Sequence, residues 1–266
     1  MNAPLHHCFL LHQRPYRETS VIVDLLTQTE GRVSLVCKGV RSSGNKAAGL
    51  RSVLQPFARL AISWSGKSAL KSLRSAEVLR SSPQFSQHQL YAALYLNELL
   101  MRLFQHGELQ MDLFDEYQHA IEQLTRVEAG NQLATEQALR RFEFGLLATL
   151  GFEVDFHHDN LSGEAIASNK HYVYQAETGF TCVAEDVGNN SEANDYAEGQ
   201  GSDLDRPRQR HMIDTVAGAH IIALQQQDYR DAAVRKLAKK IIRIALAPHL
   251  GDRPLKSREF YARSIA

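Results

Sequence analysis

The sequence predicts an α+β protein of two domains, a small β-barrel followed by a mainly α-helical domain. Two patterns in the 266 residues indicate this division. Up to residue 80, apolar and polar residues alternate over short segments, which is the period of β-strands. After Ser81-Ser82-Pro83 the apolar residues recur every three or four positions, which is the period of amphipathic helices. We therefore expect domains at 1–80 and 84–266.

Five short strands are predicted in the first domain. They cover 8–14, 19–27, 33–40, 57–65 and 70–78, and the third connection is the longest. This arrangement matches the five-stranded Greek-key barrel of the OB-fold. OB-folds bind oligonucleotides on the face of strands 2 and 3 and through the loops after strands 1 and 4.

The stretch from Gly31 to Leu60 is cationic and contains no acidic residue. Its basic side chains can bind a polyanion such as DNA. Each phosphate that they neutralise releases a counterion, which favours binding. Candidate DNA contacts are Arg32, Lys38, Arg41, Lys46 and Arg51, with Lys67 after the fourth strand and Tyr16 and Arg17 after the first. Tyr16 can stack on a base, or it can simply pack on its own loop. A solvated loop that keeps a sheet edge soluble is the alternative for the cations, and their number without a balancing acid favours DNA binding.

Charge is strongly segregated along a chain whose net charge is zero. Residues 1–80 contain 12 Lys and Arg against 4 Asp and Glu, whereas residues 81–205 contain 5 against 21. Residues 206–266 are basic again, with 13 against 5. The basic ends suit nucleic acid or acidic protein tails.

The second domain is predicted to contain three helices in its first half. They begin near Leu90, Leu109 and Leu133, and the third buries Leu139, Phe142, Leu146 and Leu150. Residues 152–183 show no regular period apart from a β-like piece at 172–174. Helices are expected to resume near His211, and the last, from about 232 to 246, carries a basic flank at 235–243. The sequence does not decide whether that flank contacts DNA.

Residues 184–205 form an acidic insertion with seven acidic residues, no basic ones and few aliphatics. Such a composition buries too little apolar surface to offset the entropy of ordering, so it predicts disorder.

No pattern for catalysis or for a membrane span is present. Gly66-Lys67-Ser68 resembles the end of a phosphate-binding P-loop, but Ala61 occupies the position of its first glycine. No run approaches the about 20 apolar residues of a membrane span, and no secretion signal is visible. The three cysteines, without a CxxC pair, indicate free thiols in a reducing cytoplasm. We therefore expect a non-enzymatic cytoplasmic protein with no catalytic residues and no cofactor.

A group of metal-binding residue types does occur between the two halves of the second domain. Its members are His157, His158, Asp159, His171, Cys182 and Glu185. A structural zinc site usually has four ligands in paired spacing, and one cysteine does not supply them. Surface polar residues in a loop are the favoured interpretation.

Several segments together resemble the RecO family of bacterial DNA-repair and recombination mediators. They are LHQRPYRETSVIVDLLTQTEGRVSLVCKGVR (11–41), GLRSVLQPFARL (49–60), LYLNELL (94–100), ALRRFEFGLLATLGF (138–152) and PHLGDRPLKSREF (248–260). The resemblance implies an N-terminal OB-fold and a helical C-terminal domain. It also implies action in the RecF pathway with RecR, nucleoid association, binding of single- and double-stranded DNA, strand annealing, and help to RecA in replacing single-strand-binding protein.

The resemblance extends to two groups of residues. Arg140, with Arg141 and Phe144, corresponds to the helix that holds the acidic tail of single-strand-binding protein, and a guanidinium fork suits a terminal carboxylate. Asp159 and Ser162 stand where many family members have the first cysteine pair of a zinc module, and Cys182 and Glu185 fall near the second pair. We therefore expect no bound zinc. Two other functions remain open: an OB-fold module that binds RNA without mediator activity, and a nucleotide hydrolase that uses Lys67 and Ser68.

Overall fold

The chain packs into two compact units, Met1–Phe142 with Asp252–Ala266 and Glu143–Gly251. The structure, a computed structural model, describes residues 4–110, 112–183, 212–251 and 253–257. The predicted acidic insertion at 184–205 lies outside these residues. The division by packing falls inside a helix and not at residues 81–83, so the predicted domain boundary remains a prediction.

The first unit contains a closed five-stranded barrel, as expected from the alternating pattern. Its strands are β1 (His6–Tyr16), β2 (Ser20–Thr27), β3 (Gly31–Cys37), β4 (Arg59–Ser65) and β5 (Leu70–Arg80). They follow the order β1-β2-β3-β5-β4, with β3 and β5 parallel and the other pairs antiparallel. This is the topology of an OB-fold. Val23, Leu25 and Leu35 lie in the barrel core with no exposed surface.

The long third connection contains a helix that the sequence interpretation did not assign. Helix α1 (Asn45–Val53) begins after Gly44, whose φ is 109°, a value that favours glycine. Leu50 and Val53 pack against the barrel core. The expected cationic arm is therefore a turn followed by a short helix anchored to the barrel.

Three helices follow in the order predicted, α2 (Gln87–Leu103), α3 (Leu113–Arg126) and α4 (Gln132–Thr149). The helical period in the sequence predicts one buried face with Leu90, Leu94, Met101 and Phe104, and this prediction is wrong at its first position, because Leu90 is 38% exposed. Ala92, Ala93, Leu96, Leu99 and Leu100 form the buried face instead. The buried face of this helix includes two alanines, whose small side chains allow close packing.

Helix α2 ties other parts of the first unit together through two polar residues of the LYLNELL segment. The Asn97 amide donates to the Leu11 carbonyl at 2.7 Å and accepts from the Tyr117 hydroxyl at 2.6 Å. The Glu98 carboxylate accepts from the backbone N–H groups of Lys256 and Ser257, at 3.0 and 2.8 Å. These bonds join α2 to the barrel, to α3 and to the C-terminal segment.

The second unit contains a three-stranded sheet and two helices besides the end of α4. Strands β6 (His171–Gln175), β7 (Gly179–Cys182) and β8 (Met212–Ala217) have the order β7-β6-β8, and α5 (Gly218–Gln225) and α6 (Ala232–Leu250) follow. The expectation of helix directly after His211 is wrong. Ile213 and Val216 enter the core as part of a strand paired with β6, and the partner strand, distant in sequence, decides that conformation.

Candidate nucleic-acid interface

Two cationic loops lie at the same end of the barrel. The register Val21↔Cys37 places the β1–β2 hairpin tip (residues 16–20) beside the loop after β3 (residues 38–44). Lys38, Arg41 and Lys46 are exposed there, and so is Arg17. Glu18 is the one acidic residue in these two loops and α1. We call the group Tyr16, Arg17, Lys38, Arg41, Lys46 and Arg51 the cationic rim.

Backbone contacts hold the cationic rim in a defined shape. The backbone N–H of Arg41 donates to the Thr19 carbonyl at 2.8 Å, and its guanidinium donates to the Arg17 carbonyl at 3.3 Å. The Arg51 Nη1 atom donates to the carbonyls of Val40 and Ser42, at 2.7 and 3.0 Å. Arg51 thus braces the loop with part of its guanidinium, while Lys38 and Lys46 extend from the braced scaffold.

The hairpin tip presents an aromatic ring next to a cation. Arg17 has a φ of 53°, in the left-handed region, and its guanidinium carbon lies 5.2 Å from the centre of the Tyr16 ring. A half-buried tyrosine beside a cation offers both a stacking face and a phosphate contact. It also fits the simpler interpretation of a tyrosine that packs on its own loop.

Two predicted DNA contacts lie at the opposite end of the barrel. Lys67 is exposed in the turn after β4, beyond the pairing of Ile62 with His6. Arg32 pairs with Leu26 near the start of β3. Its guanidinium donates to the Met101 carbonyl at 2.5 Å and to Nδ1 of His106 at 3.1 Å. Neither residue adjoins the cationic rim.

Arg32 belongs to a polar chain that the sequence interpretation missed and that runs from the buried Asp24 and Ser34 to the exposed His106. The Ser34 hydroxyl donates to Asp24, so its oxygen accepts from Nε2 of His106, 2.6 Å away. His106 in turn accepts from Arg32 through Nδ1. The chain attaches the segment after α2 to the outer face of β2 and β3. An acidic residue within the otherwise apolar strand SVIVDLLT was the available signal, because a buried carboxylate needs partners.

The electrostatics of this chain are set by burial and by charge together. Burial alone raises the pKa of Asp24, but the His12 ring 3.6 Å away, the hydrogen bond from Ser34 and the charges of Arg14 and Arg32 together hold that pKa below its usual value. Burial, followed by the charge of Arg32, lowers the pKa of His106. At neutral pH, therefore, Asp24 is ionised and His106 is uncharged within this group of hydrogen-bonded residues.

A second aromatic and cationic group, also not predicted, lies at the Lys67 end. The rings of His6 and Trp64 stack at 4.0 Å, and the Lys71 ammonium lies 5.2 Å from the Trp64 ring centre. Lys71 also donates to Glu30 at 2.7 Å. Its charge is thus neutralised within the barrel, which sets this group apart from the cationic rim.

The candidate tail-binding residues lie on α4. Arg141 is exposed, whereas Arg140 and Phe144 are partly buried. Within the second unit, Phe144 makes an edge-on contact with Phe156 at 5.2 Å and packs against the core. The ring of Phe144 therefore has a structural role, and the two arginines are the members of this group that offer charge to a partner.

The region expected to resemble a zinc module is held together by a carboxylate. Asp159 is 5% exposed, and its Oδ1 accepts from the backbone N–H groups of Leu161 and Ser162, at 2.8 and 3.3 Å. Its Oδ2 accepts from the N–H of Cys182 at 3.0 Å. Burial raises the pKa of Asp159, but these hydrogen bonds outweigh burial and lower it. One side chain thus joins the two turns that paired cysteines would hold.

No metal cluster and no membrane-spanning helix occur in the part of the chain that the structure describes. No three His, Cys, Asp or Glu side chains in those residues lie together in a way that could hold a metal ion. None of the helices there combines the length and apolar character needed to cross a membrane. Glu185, a member of the group considered from sequence, falls outside the described residues.

Comparison with known proteins matches both halves of the chain to one family. Residues 1–82 match the family described as Recombination protein O N terminal, and residues 85–259 match Recombination protein O C terminal. Proteins named DNA repair protein RecO from Actinobacillus succinogenes and Haemophilus influenzae are each 39% identical. The first alignment covers 97% of this chain and 94% of the relative, and the second covers 100% and 98%. The relative of that name from Yersinia pestis is 37% identical over 97% of this chain and 93% of its own length. With an OB-type barrel, a following helical region and matches along nearly its whole length, this chain belongs to the recombination protein O family.

Proposed function

We propose that this protein is a DNA repair and recombination mediator that works by binding and not by catalysis. The observation that carries the proposal is the cationic rim at one end of an OB-type barrel, in a chain of the recombination protein O family. The rim combines five cations and an aromatic ring with one acidic residue. Lys38, Arg41 and Lys46 are exposed and meet the backbone of a single strand, while Tyr16 stacks on a base.

Binding energy is sufficient for the activity proposed. Two complementary strands repel each other through their phosphates, and cations that neutralise those phosphates reduce the repulsion. Holding the strands on one protein raises their effective concentration, which speeds annealing without any covalent chemistry. In this proposal the protein binds single- and double-stranded DNA, anneals complementary strands and acts with RecR to help RecA load onto coated DNA.

The salt dependence of DNA binding tests the position of the interface. Five phosphate contacts predict a slope of log affinity against log salt of about −3.5 on single strands. We expect Lys38→Ala, Arg41→Ala and Lys46→Ala together to make this slope shallower by about 2 and to weaken binding to all sequences alike. Fluorescence anisotropy over a salt series measures both effects.

Lys67→Ala provides a matched control for Lys38→Ala. Both lysines are exposed, but Lys67 lies at the end of the barrel opposite the cationic rim. We expect Lys38→Ala to weaken binding and Lys67→Ala to leave it unchanged. An unchanged slope in the triple variant places the DNA surface away from the cationic rim.

An RNA-binding module without mediator activity is the second candidate, because OB-type barrels bind both nucleic acids. Affinities for DNA and RNA oligomers of the same sequence separate the two. A mediator prefers or equals DNA and anneals coated strands, whereas an RNA module prefers RNA and does not anneal them. A phosphate-release assay with and without DNA tests the hydrolase that would use Lys67 and Ser68.

A further inference from the structure

Helix α6 carries four exposed cations on one face. Lys236, Lys239, Lys240 and Arg243 are spaced three and four residues apart, so they project from the same side of the helix. The opposite side is apolar and enters the core of the second unit through Val234, Leu237, Ala238, Ile241 and Ile244. We call the four exposed residues the α6 basic face.

The charges of the α6 basic face are not balanced within the second unit as described. The helix contains no acidic residue, and among the described residues no ion pair involves any of the four. The cations at the start of the helix behave differently. Arg230 pairs with Asp228 at 2.5 Å, and Arg235 donates to the Tyr229 and Arg230 carbonyls at 2.8 and 2.7 Å.

Four like charges at these spacings repel one another. Pairs such as Lys236 with Lys240, and Lys239 with Arg243, are each four residues apart, a spacing at which like charges destabilise a helix. A bound polyanion relieves this repulsion. The free helix is thus arranged to gain from an anionic partner.

The geometry selects a nucleic-acid backbone among anionic partners. From Lys236 to Arg243 the helix rises about 10 Å, which corresponds to about three phosphates of one stacked strand. The face has no aromatic residue for base stacking, so contact is restricted to phosphates and is independent of sequence. A membrane surface is disfavoured, because the apolar side that would enter lipid is already buried in the core.

We propose that the α6 basic face is a second strand-binding surface, which holds the backbone of one DNA strand while the cationic rim holds another. This inference rests on the proposed function and gives it a physical basis. Two surfaces on one chain allow two strands to be bound together, which is the condition for a gain in effective concentration.

A co-binding experiment on the full-length protein tests the proposal. Two short oligothymidine strands, one with a donor dye and one with an acceptor dye, cannot pair with each other. Energy transfer between them therefore requires that the protein hold both. We expect Lys236→Gln, Lys239→Gln, Lys240→Gln and Arg243→Gln together to weaken second-strand binding about tenfold or more, because about three phosphate contacts are lost. First-strand binding at the cationic rim persists.

A charge-preserving variant is the matched control. Lys236→Arg, Lys239→Arg, Lys240→Arg and Arg243→Lys retain four positive charges, and we expect co-binding to persist. Circular dichroism melting confirms that both variants fold. Normal energy transfer in the glutamine variant, or none in the wild type, overturns the inference.

The same measurements separate this inference from the proposed function. In one outcome, the cationic-rim triple variant loses DNA binding while the glutamine variant shows normal energy transfer. This result supports the proposed function and contradicts the α6 surface. In the opposite outcome, the rim variant binds DNA normally and the glutamine variant does not. This result supports the α6 basic face as a DNA surface and contradicts the cationic rim. A labelled polyglutamate peptide tests for an acidic protein as the partner. If the peptide binds wild type but not the glutamine variant, and strand co-binding is the same in both proteins, the partner is an acidic protein and the DNA inference is overturned.

Discussion

At the scale of single residues, burial decides what a basic side chain can do. Arg32 and Arg41 belong to the same cationic stretch, and they look equivalent in sequence. Arg41 projects from a loop, whereas Arg32 donates to the Met101 carbonyl and to His106. A guanidinium whose Nη atoms are bonded to other parts of the protein at a packed surface stabilises the fold, and an exposed one remains available to a phosphate.

The polar chain around Asp24 predicts a pH dependence of stability. The pKa of His106 is lowered in the folded protein, so the unfolded chain takes up this proton first as pH falls below about 6.5. The free energy of unfolding therefore decreases between about pH 7 and pH 5. The contribution of Asp24, whose folded pKa is also lowered, persists until pH falls below about 4.

Urea unfolding of wild type and His106→Gln at several pH values measures the contribution of His106. Glutamine keeps a donor for Ser34 but does not titrate. We expect a smaller loss of unfolding free energy on acidification in the variant. Identical pH profiles for the two proteins contradict the assignment.

Asp159 is a second residue whose role is structural. Asp159→Ala leaves the N–H groups of Leu161, Ser162 and Cys182 without their acceptor, which costs about 1–3 kcal/mol of stability. Thermal or urea unfolding measures the loss. Glu177→Ala, at an exposed acidic residue of the β6–β7 turn, is the control and is expected to have little effect. If the two variants are equally stable, the hydrogen bonds of Asp159 to the two turns do not stabilise the fold.

At the scale of elements, α4 combines packing with a candidate partner surface. Leu139, Phe142, Leu146 and Leu147 are buried along the helix, as the periodic pattern predicts for three of them. Leu150, also expected inside, is only partly buried at the end of the helix. Arg141 is exposed between these buried positions, and Arg140 is partly exposed.

The proposed partner of α4 is the acidic tail of single-strand-binding protein. We expect Arg140→Ala to leave folding and bare-DNA binding intact and to weaken binding of a peptide of that tail by about 1.5–3 kcal/mol, the range for a charge-assisted bond. Isothermal titration at low salt measures it. Arg126→Ala, which removes a surface arginine paired with Glu122 at 3.6 Å, controls for loss of charge. Equal tail affinity for wild type and Arg140→Ala would falsify the assignment and favour an intrahelical ion pair.

At the scale of the whole molecule, charge is distributed so that the basic surfaces are separated along the chain. The cationic rim belongs to the barrel and the α6 basic face to the second unit, with a strongly acidic segment between them in sequence. In the inference drawn above, each of these surfaces contacts one DNA strand. Two binding places on one chain raise the effective concentration of the strands that they hold.

Annealing of strands already coated with single-strand-binding protein tests the whole molecule. We expect wild type to anneal them, because the proposed tail contact brings the protein to the coated strand. Arg140→Ala is expected to anneal bare strands at the normal rate and coated strands more slowly. Fluorescence quenching between labelled complementary strands follows both reactions. A protein that only binds nucleic acid fails on coated strands.

The sequence by itself determined the five-strand barrel, the three helices after it, the cationic loops and the resemblance to the family. These features depend on local period and composition, which neighbouring residues specify. Lys38, Arg41 and Lys46 are found at one end of the barrel because the loop after β3 and the start of α1, which carry them, are continuous in sequence. No residue of this group required a distant contact to be recognised as cationic.

Only the tertiary structure decided which distant residues meet. The register of β2 with β3 joins Tyr16 and Arg17 to the cationic rim, while strand direction sends Lys67 to the other end. Helix α1, strand β8, the partners of Asp24 and the role of Asp159 each depend on groups far away in sequence. Side-chain hydrogen bonds and strand pairing at such separations are set by packing, which local period does not encode.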